Sequence, residues 1–281
     1  MKRALGKLPE PIKKALKGVA LALLKTRERW TGEAPDAVLL LAHMRSGSTL
    51  LMHILLSHPA ILGYGERNRP YASARDMDRL TVDACYQRRQ FFRSPRYVVD
   101  QINHTRFLAS EALLNHPRVR TIFLIREPED SIASMVEVLG RYYGMTLDEA
   151  VAYYSERLQA LARYAQGIEN PARTFFLTYD DLVTETTSSL HGLQAFLSLE
   201  TALSEDYRRF DFTGRRGDPS TAIESGSILK DKPRRRIELA PEILARTRAA
   251  YDDCRAVLAA RCESIKTFKR GLTQPPRNVS S

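Results

Sequence analysis

Val38-Leu39-Leu40-Leu41-Ala42-His43-Met44-Arg45-Ser46-Gly47-Ser48-Thr49-Leu50-Leu51 decides the reading of this chain: an apolar run stops at a loop of small residues that opens straight into a helical pattern. A buried strand followed by such a turn builds an anion site. Loop N–H groups, the free N–H groups of the first helical turn and the positive end of the helix dipole converge on one point. Gly47 permits close backbone approach, and Arg45 adds a forked positive charge suited to phosphate. The loop is not a Walker A sequence, since G-x-x-x-x-G-K-[ST] is absent and no lysine precedes Ser48 or Thr49. An ordinary strand-to-helix turn is written with the same small residues, so a second element has to decide.

Val119-Arg120-Thr121-Ile122-Phe123-Leu124-Ile125 reads as another buried strand, ending at Arg126, with Pro128 placed to start the helix that carries Ser131 and Ser134. Arg126 at the strand end and Ser134 two helical turns later suit one phosphate, gripped between a guanidinium and a hydroxyl. Taken alone, Arg126 reads first as a surface partner of Glu129 or Asp130, and Ser134 as a solvated helix position.

Together the two segments resemble the sulfotransferases that use 3′-phosphoadenosine 5′-phosphosulfate (PAPS), whose first loop holds the 5′-phosphosulfate and whose second strand–helix holds the 3′-phosphate. Arg45-Ser46-Gly47-Ser48-Thr49 matches the first motif and Arg126 with Ser134 the second. Phe175-Phe176-Leu177-Thr178-Tyr179-Asp180-Asp181-Leu182-Val183 is similar to the family's late strand ending in Tyr-Glu-Asp-Leu. The likeness runs from Val38 to Leu199, with an echo at Gly217-Asp218 and from Ser220 to Ile228. It implies a P-loop-like three-layer α/β/α domain with a mainly parallel central sheet. It also implies nucleotide contacts at Arg45, Ser46, Gly47, Ser48, Thr49, Leu50, Arg126, Ser134 and Tyr179. PAPS would be the co-substrate and adenosine 3′,5′-bisphosphate (PAP) the product, with no metal.

Within that family the nearest motif belongs to the branch containing tyrosylprotein sulfotransferases and many bacterial members, because His58-Pro59 is followed by Gly65-Glu66-Arg67-Asn68-Arg69-Pro70. Glu66 falls where that branch carries its catalytic carboxylate, which implies that Glu66 takes the acceptor's proton while Arg45 and the loop N–H groups hold charge on the departing phosphate. A carboxylate just past a short strand at 61–64 sits beside the first loop, at the sheet edge where ligands collect. A surface glutamate paired with Arg67 or Arg69 is the plainer alternative. His104 is a second candidate base, since cytosolic sulfotransferases use histidine; His43 and His53 are expected to pack around the first helix. Two positions depart from the relatives: Gln101 stands where they carry a lysine, and Val138 where they carry an arginine. Arg215, Arg216, Lys230 and Lys232 are the replacement cations on offer.

Strands alternating with helices predict a parallel sheet covered on both faces. The expected strands lie at 37–42, 61–64, 97–100, 121–125 and 174–178. Helices are expected to about 30, over 48–57, 128–139 and 147–168, and onward to about 197 after the last strand. A Gly/Pro/Ser/Arg loop at 212–236 is placed to close over nucleotide, and Pro241 starts a final helix that ends before Gln274-Pro275-Pro276. The division is a basic amphipathic helix and linker at 1–36, a catalytic domain at 37–270 and a tail at 271–281. Ile12, Leu16, Val19, Leu23 and Leu24 at helical spacing should pack that first helix on the domain, with weak membrane-surface contact as the sharper reading.

The net charge of +10 argues for an anionic ligand, such as the nucleotide itself. Arginines crowd 67–106, including Arg88, Arg89, Arg93 and Arg96 beside Tyr71, Tyr86, Phe91 and Phe92. They read as a solvated face or as the wall of an acceptor cleft. Three cysteines, Cys85, Cys254 and Cys262, make no disulfide framework or zinc spacing and fit a reducing cytoplasm. A P-loop kinase lacks its Walker lysine here, and no nucleic-acid-binding module accompanies the basic charge. The acceptor, whether carbohydrate, lipid, small metabolite or peptide, is not written in the sequence, and neither is the oligomeric state.

Overall fold

In the computed structural model, residues 9–31, 34–90, 95–214, 221–230 and 237–268 are described. The chain runs α1 (Glu10–Thr31), β1 (Asp36–Ala42), α2 (Ser48–Ser57), β2 (Ile61–Gly63), α3 (Ala74–Arg88), β3 (Tyr97–Ile102), α4 (Glu111–Leu114) and β4 (Val119–Ile125). It continues through α5 (Pro128–Ser134), a π-helical turn at Met135–Leu139, α6 (Gly140–Tyr143), α7 (Leu147–Gly167), β5 (Thr174–Thr178), α8 (Tyr179–Thr184), α9 (Thr186–Phe196), α10 (Pro241–Arg261) and β6 (Glu263–Ser264).

All strand pairings are parallel, in the order β2-β3-β1-β4-β5-β6. β1 is central, and its alternating side chains part cleanly between two cores. Ala37, Leu39 and Leu41 pack under α5, α7 and α10, whereas Val38, Leu40 and Ala42 face α2 and α9. Such two-sided burial is why the strand reads as an unbroken apolar run, and each large side chain so buried contributes roughly 1.5–3 kcal/mol. From β1 the chain moves outward to β2, then returns through β3 to the far side at β4. This reversal leaves a crevice beyond the carboxyl end of β1, where open α/β sheets bind ligands.

Four local features differ from the sequence reading. The arginine-rich insertion holds α3, started by a Ser73–Asp76 capping box that its charged composition masks. The helix expected over 128–139 opens into a π turn from Met135, and the one after β5 breaks at Glu185 into α8 and α9. α10 ends at Arg261, and the next residues add β6 beside Phe175 and Phe176, a strand too short to show periodicity.

The fourth difference is α1. Most of its apolar set does not pack on the domain: Ile12, Leu16, Val19 and Leu23 are 40–59% exposed, and only Leu24 is half-buried. Lys17 bound to Asp83 and Lys25 bound to Asp78 hold the helix to α3 instead, so ion pairs choose the face that docks. Cys85, Cys254 and Cys262 are buried free thiols. Among the described residues, no helix is long and apolar enough to cross a membrane.

Candidate active site

Residues 43–47 carry the chain from β1 into α2, and the turn needs positive φ at Arg45 (65°) and Gly47 (93°). Gly47 has no substitute, because a Cβ there would stand 2.5 Å from the Tyr179 ring. Arg45 holds its left-handed conformation, a cost of about 1–2 kcal/mol, under contacts at both ends. Its Nε donates to Ser134 Oγ at 2.9 Å, and its carbonyl accepts from Arg126 Nη1 at 3.3 Å. The first N–H groups of α2 have no acceptor within the helix, and no acidic residue occupies its first turn.

His43 bolts this turn to the second one. Wholly buried, its Nε2 accepts the backbone N–H of Arg126 at 2.9 Å, which leaves Nδ1 to donate to Met44 O at 2.8 Å. Burial holds its pKa down to about 4, so the ring stays neutral and this tautomer persists. Arg126 in turn stacks 4.0 Å over the Tyr179 ring and pairs with Asp130 at 3.4 Å. Its buried Nε has no partner, as is also true of Ser46 Oγ. The Ser134 hydroxyl accepts from Arg45, so the serine ties Arg45 to α5 and the two arginines share one site; accepting that bond leaves the hydroxyl able to donate to the phosphate expected between it and Arg126. His53, buried within α2, links Thr49 O to Thr213 Oγ1, both at 2.8 Å.

A cleft of about 1200 Å³ opens over these groups, lined by Arg45, Gly47, Ser48, Thr49, Leu50, Arg126, Ser134 and Tyr179 on one side and by Glu66 and His104 on the other. Ser46 lies beneath the turn, fully buried. Val138 and Leu139 of the π turn add an apolar strip.

Glu66 is not a surface ion-pair residue. Arg67 and Arg69 both go to Asp83, each at 3.1 Å, where Lys17 also binds. Glu66 instead faces His104 Nε2 at 3.8 Å and takes a hydrogen bond from the Gln101 side chain. Burial, reinforced by the nearby Asp100 carboxylate, pushes its pKa up to about 7, close to ideal for a base working at neutral pH. His104 is shifted down by burial and by Arg106 and Arg157, which favours its neutral form. Asp100 itself is fully buried: it accepts the Arg67 N–H at 3.1 Å and the Tyr71 hydroxyl at 2.5 Å, and burial raises its pKa.

Sequence reading missed three supports of this wall. Asp100 sits on β3 with the polar neighbour Gln101 but no motif around it. Arg157 on α7 is wholly buried, giving Nε to Ala42 O at 2.9 Å and Nη2 to Ile102 O at 2.5 Å, so it joins the ends of β1 and β3. Its place beside Tyr154, Leu158 and Leu161, on the core side of the helix, was the available signal. Tyr153 accepts the Met44 N–H at 2.8 Å and donates to Asn103 O at 2.5 Å, spanning the two walls. Of the replacement cations, Lys230 is engaged with Glu205 at 2.7 Å. Arg215, Arg216 and Lys232, with Phe91, Phe92, Arg93, Gly217, Asp218 and Ser220, lie outside the described residues. Among those described, no group of three or more His, Cys, Asp or Glu side chains is arranged to hold a metal ion.

The profile of the sulfotransferase family matches residues 36–203, which takes in both turns, Glu66 and the Tyr179 helix. The chain belongs to the sulfotransferase family. Its members move sulfuryl groups, and neither the kinase nor the nucleic-acid reading finds support. Among solved structures, the sulfotransferase domain from the curacin biosynthetic pathway superposes with a TM-score of 0.58 at 18% identity, over 79% of this chain and 98% of that one. The sulfotransferase domain from the Synechococcus PCC 7002 olefin synthase gives 0.55 at 18% identity, over 78% and 94%. At that identity the likeness establishes the shared fold. No curated protein matches the sequence.

Proposed function

We propose that this sulfotransferase draws its sulfuryl group from PAPS and passes it to an acceptor hydroxyl or amine, with Glu66 as the base. The observation that carries the reading is the convergence of the two arginine-bearing turns with a carboxylate of raised pKa on one cleft. The unpartnered, buried Nε of Arg126, a residue of the cleft wall, suits an anion that supplies an acceptor.

In this reading the 43–47 turn and the start of α2 bind the 5′-phosphosulfate, and Arg126 binds the 3′-phosphate. The acceptor oxygen attacks sulfur as the bond to the bridging oxygen breaks. Its proton passes to Glu66, while Arg45 and the turn N–H groups stabilise charge on the leaving PAP. His104, 3.8 Å from the same carboxylate, is positioned to relay that proton outward. The three buried thiols accord with a reducing compartment, and on that ground we place the protein in the cytoplasm.

Calorimetry with PAPS, PAP and ATP·Mg²⁺ tests the donor. Tight binding of the first two and weak binding of the third is the expected result, and indifference to the 3′-phosphate would overturn it. Incubation with sulfur-labelled PAPS and cell extract then reports transfer.

A further inference from the structure

α1 docks on the domain by its polar face. Ile12, Leu16, Val19 and Leu23 follow one another at intervals of four, three and four residues, so they stack into a single stripe along the helix. Lys17 and Lys25, which bind Asp83 and Asp78 on α3, each stand two positions from a member of that stripe. Two positions turn an α-helix through about 200°, so the ion pairs grip the side opposite the apolar one. The stripe itself is left 40–59% exposed, and the exposed Ala15 and Ala22 extend it along one flank. Single apolar residues on a surface need no explanation, but a row of four held outward by ion pairs does.

Charge and area select what covers this face. Residues 1–31 carry six lysines and three arginines against Glu10 and Glu28. With Lys17 and Lys25 matched by α3, seven cations still outnumber two acids. A second copy of the chain would bring this positive segment against its like, and repulsion opposes the pairing. Nor is the face wide enough. Residues 12–23 rise through about 17 Å of a cylinder about 10 Å across, a patch on the order of 200 Å², whereas a stable protein interface takes about 800 Å² from each partner. An anionic lipid surface has neither restriction: it admits a narrow apolar stripe to the acyl boundary while its headgroups attract the cations. Among the described residues no helix is long and apolar enough to cross a membrane, and a helix with lysines on one side and leucines on the other lies along a surface.

We infer that α1 is a membrane-surface anchor, which lays Ile12, Leu16, Val19 and Leu23 into the headgroup boundary of an anionic phospholipid bilayer. Lys17 and Lys25 carry the sulfotransferase domain on the far side of the helix. Their ion pairs then have a purpose beyond fastening: they keep the apolar stripe from closing on the domain and hold it toward lipid. No residue of α1 lines the nucleotide cleft, so docking leaves that cleft open.

Flotation of the full chain with lipid vesicles is the test. Vesicles of phosphatidylglycerol and phosphatidylcholine in equal parts should carry the protein upward, those of phosphatidylcholine alone should hold it at least about tenfold more weakly, and added salt should release it. Leu16→Gln with Leu23→Gln keeps charge and helix propensity while removing half of the stripe, and should weaken binding to the anionic vesicles at least about tenfold. Both side chains are exposed and neither lines the nucleotide cleft, so melting temperature and PAP affinity should stay unchanged in that variant. Failure of the wild type to float, equal binding to the two vesicle types, or wild-type flotation of the double variant would each overturn the inference. Sedimentation without lipid should give the same mass for both proteins. A dimer that the double variant dissolves would assign the face to a second copy and overturn the anchor likewise.

Discussion

The two walls of the nucleotide cleft are built by opposite means. One is a run of adjacent residues, 45–50, whose work is done by backbone geometry and clamped from behind by His43, Ser134 and Tyr179. The other gathers Glu66, Asp100, Gln101, His104 and Arg157 from three regions of the chain, and burial sets its chemistry. The first wall holds charge and the second moves a proton. Damage to the first should therefore appear in affinity, and damage to the second in rate or pH dependence.

The sharpest break in that comparison is Glu66→Gln, which keeps shape and removes the base. Turnover should fall about 10²–10⁴-fold, the usual worth of a positioned acid or base, while the Kd for PAP stays within about twofold. A variant that turns over at the wild-type rate would remove Glu66 from the chemistry.

On the anion wall, Gly47→Ala meets both a φ of 93° and a Cβ 2.5 Å from the Tyr179 ring. The ring must move, and Arg126 stacked upon it moves too. We expect PAP affinity to fall about a hundredfold or more, with strain of roughly 1–3 kcal/mol in stability. Arg126→Ala removes the side chain beyond Cβ, and a lost charged hydrogen bond corresponds to about 10- to 100-fold in PAP affinity. Adenosine 5′-phosphate, lacking the 3′-phosphate, should bind as before; equal losses for both nucleotides would place Arg126 elsewhere in the site.

The same contrast explains what could be read in advance. Gly47, Arg45 and the β1 run are legible because a phosphate turn is a local object: its small residues, its arginine and the strand before it are contiguous. β1, β4 and β5 show as apolar runs because both of their faces are buried. Glu66 is legible only through its motif, since nothing local reveals that Arg67 and Arg69 turn away to Asp83. The roles of Asp100 and Arg157 are not legible locally, because they depend on strands that meet by folding. α1 docks differently from its expected face because amphipathic spacing gives the face that prefers burial, while Asp78 and Asp83 on another helix choose the face that docks.

The smallest effect is the most discriminating. Asp100→Asn keeps the side chain's shape and an acceptor for the Arg67 N–H, while removing the like charge beside Glu66. In the native enzyme the rate should fall as pH drops through about 7, where Glu66 takes up its proton. Without Asp100 that acid limb should move to lower pH. It should stop short of the ordinary carboxylate value of 4.5, because burial, the larger cause, remains, against the downward pull of Gln101, Arg106 and Arg157. The same substitution acts on stability through linkage. A carboxyl whose pKa is raised by folding holds protons that the unfolded chain releases, so stability falls as pH rises from about 4 to about 7. Removing one of the two raised carboxyls should flatten that decline in urea titrations across the same window. A variant with unmoved acid limb and undiminished slope would show that Glu66 and Asp100 do not sense one another, and the second wall would then be a single buried carboxylate.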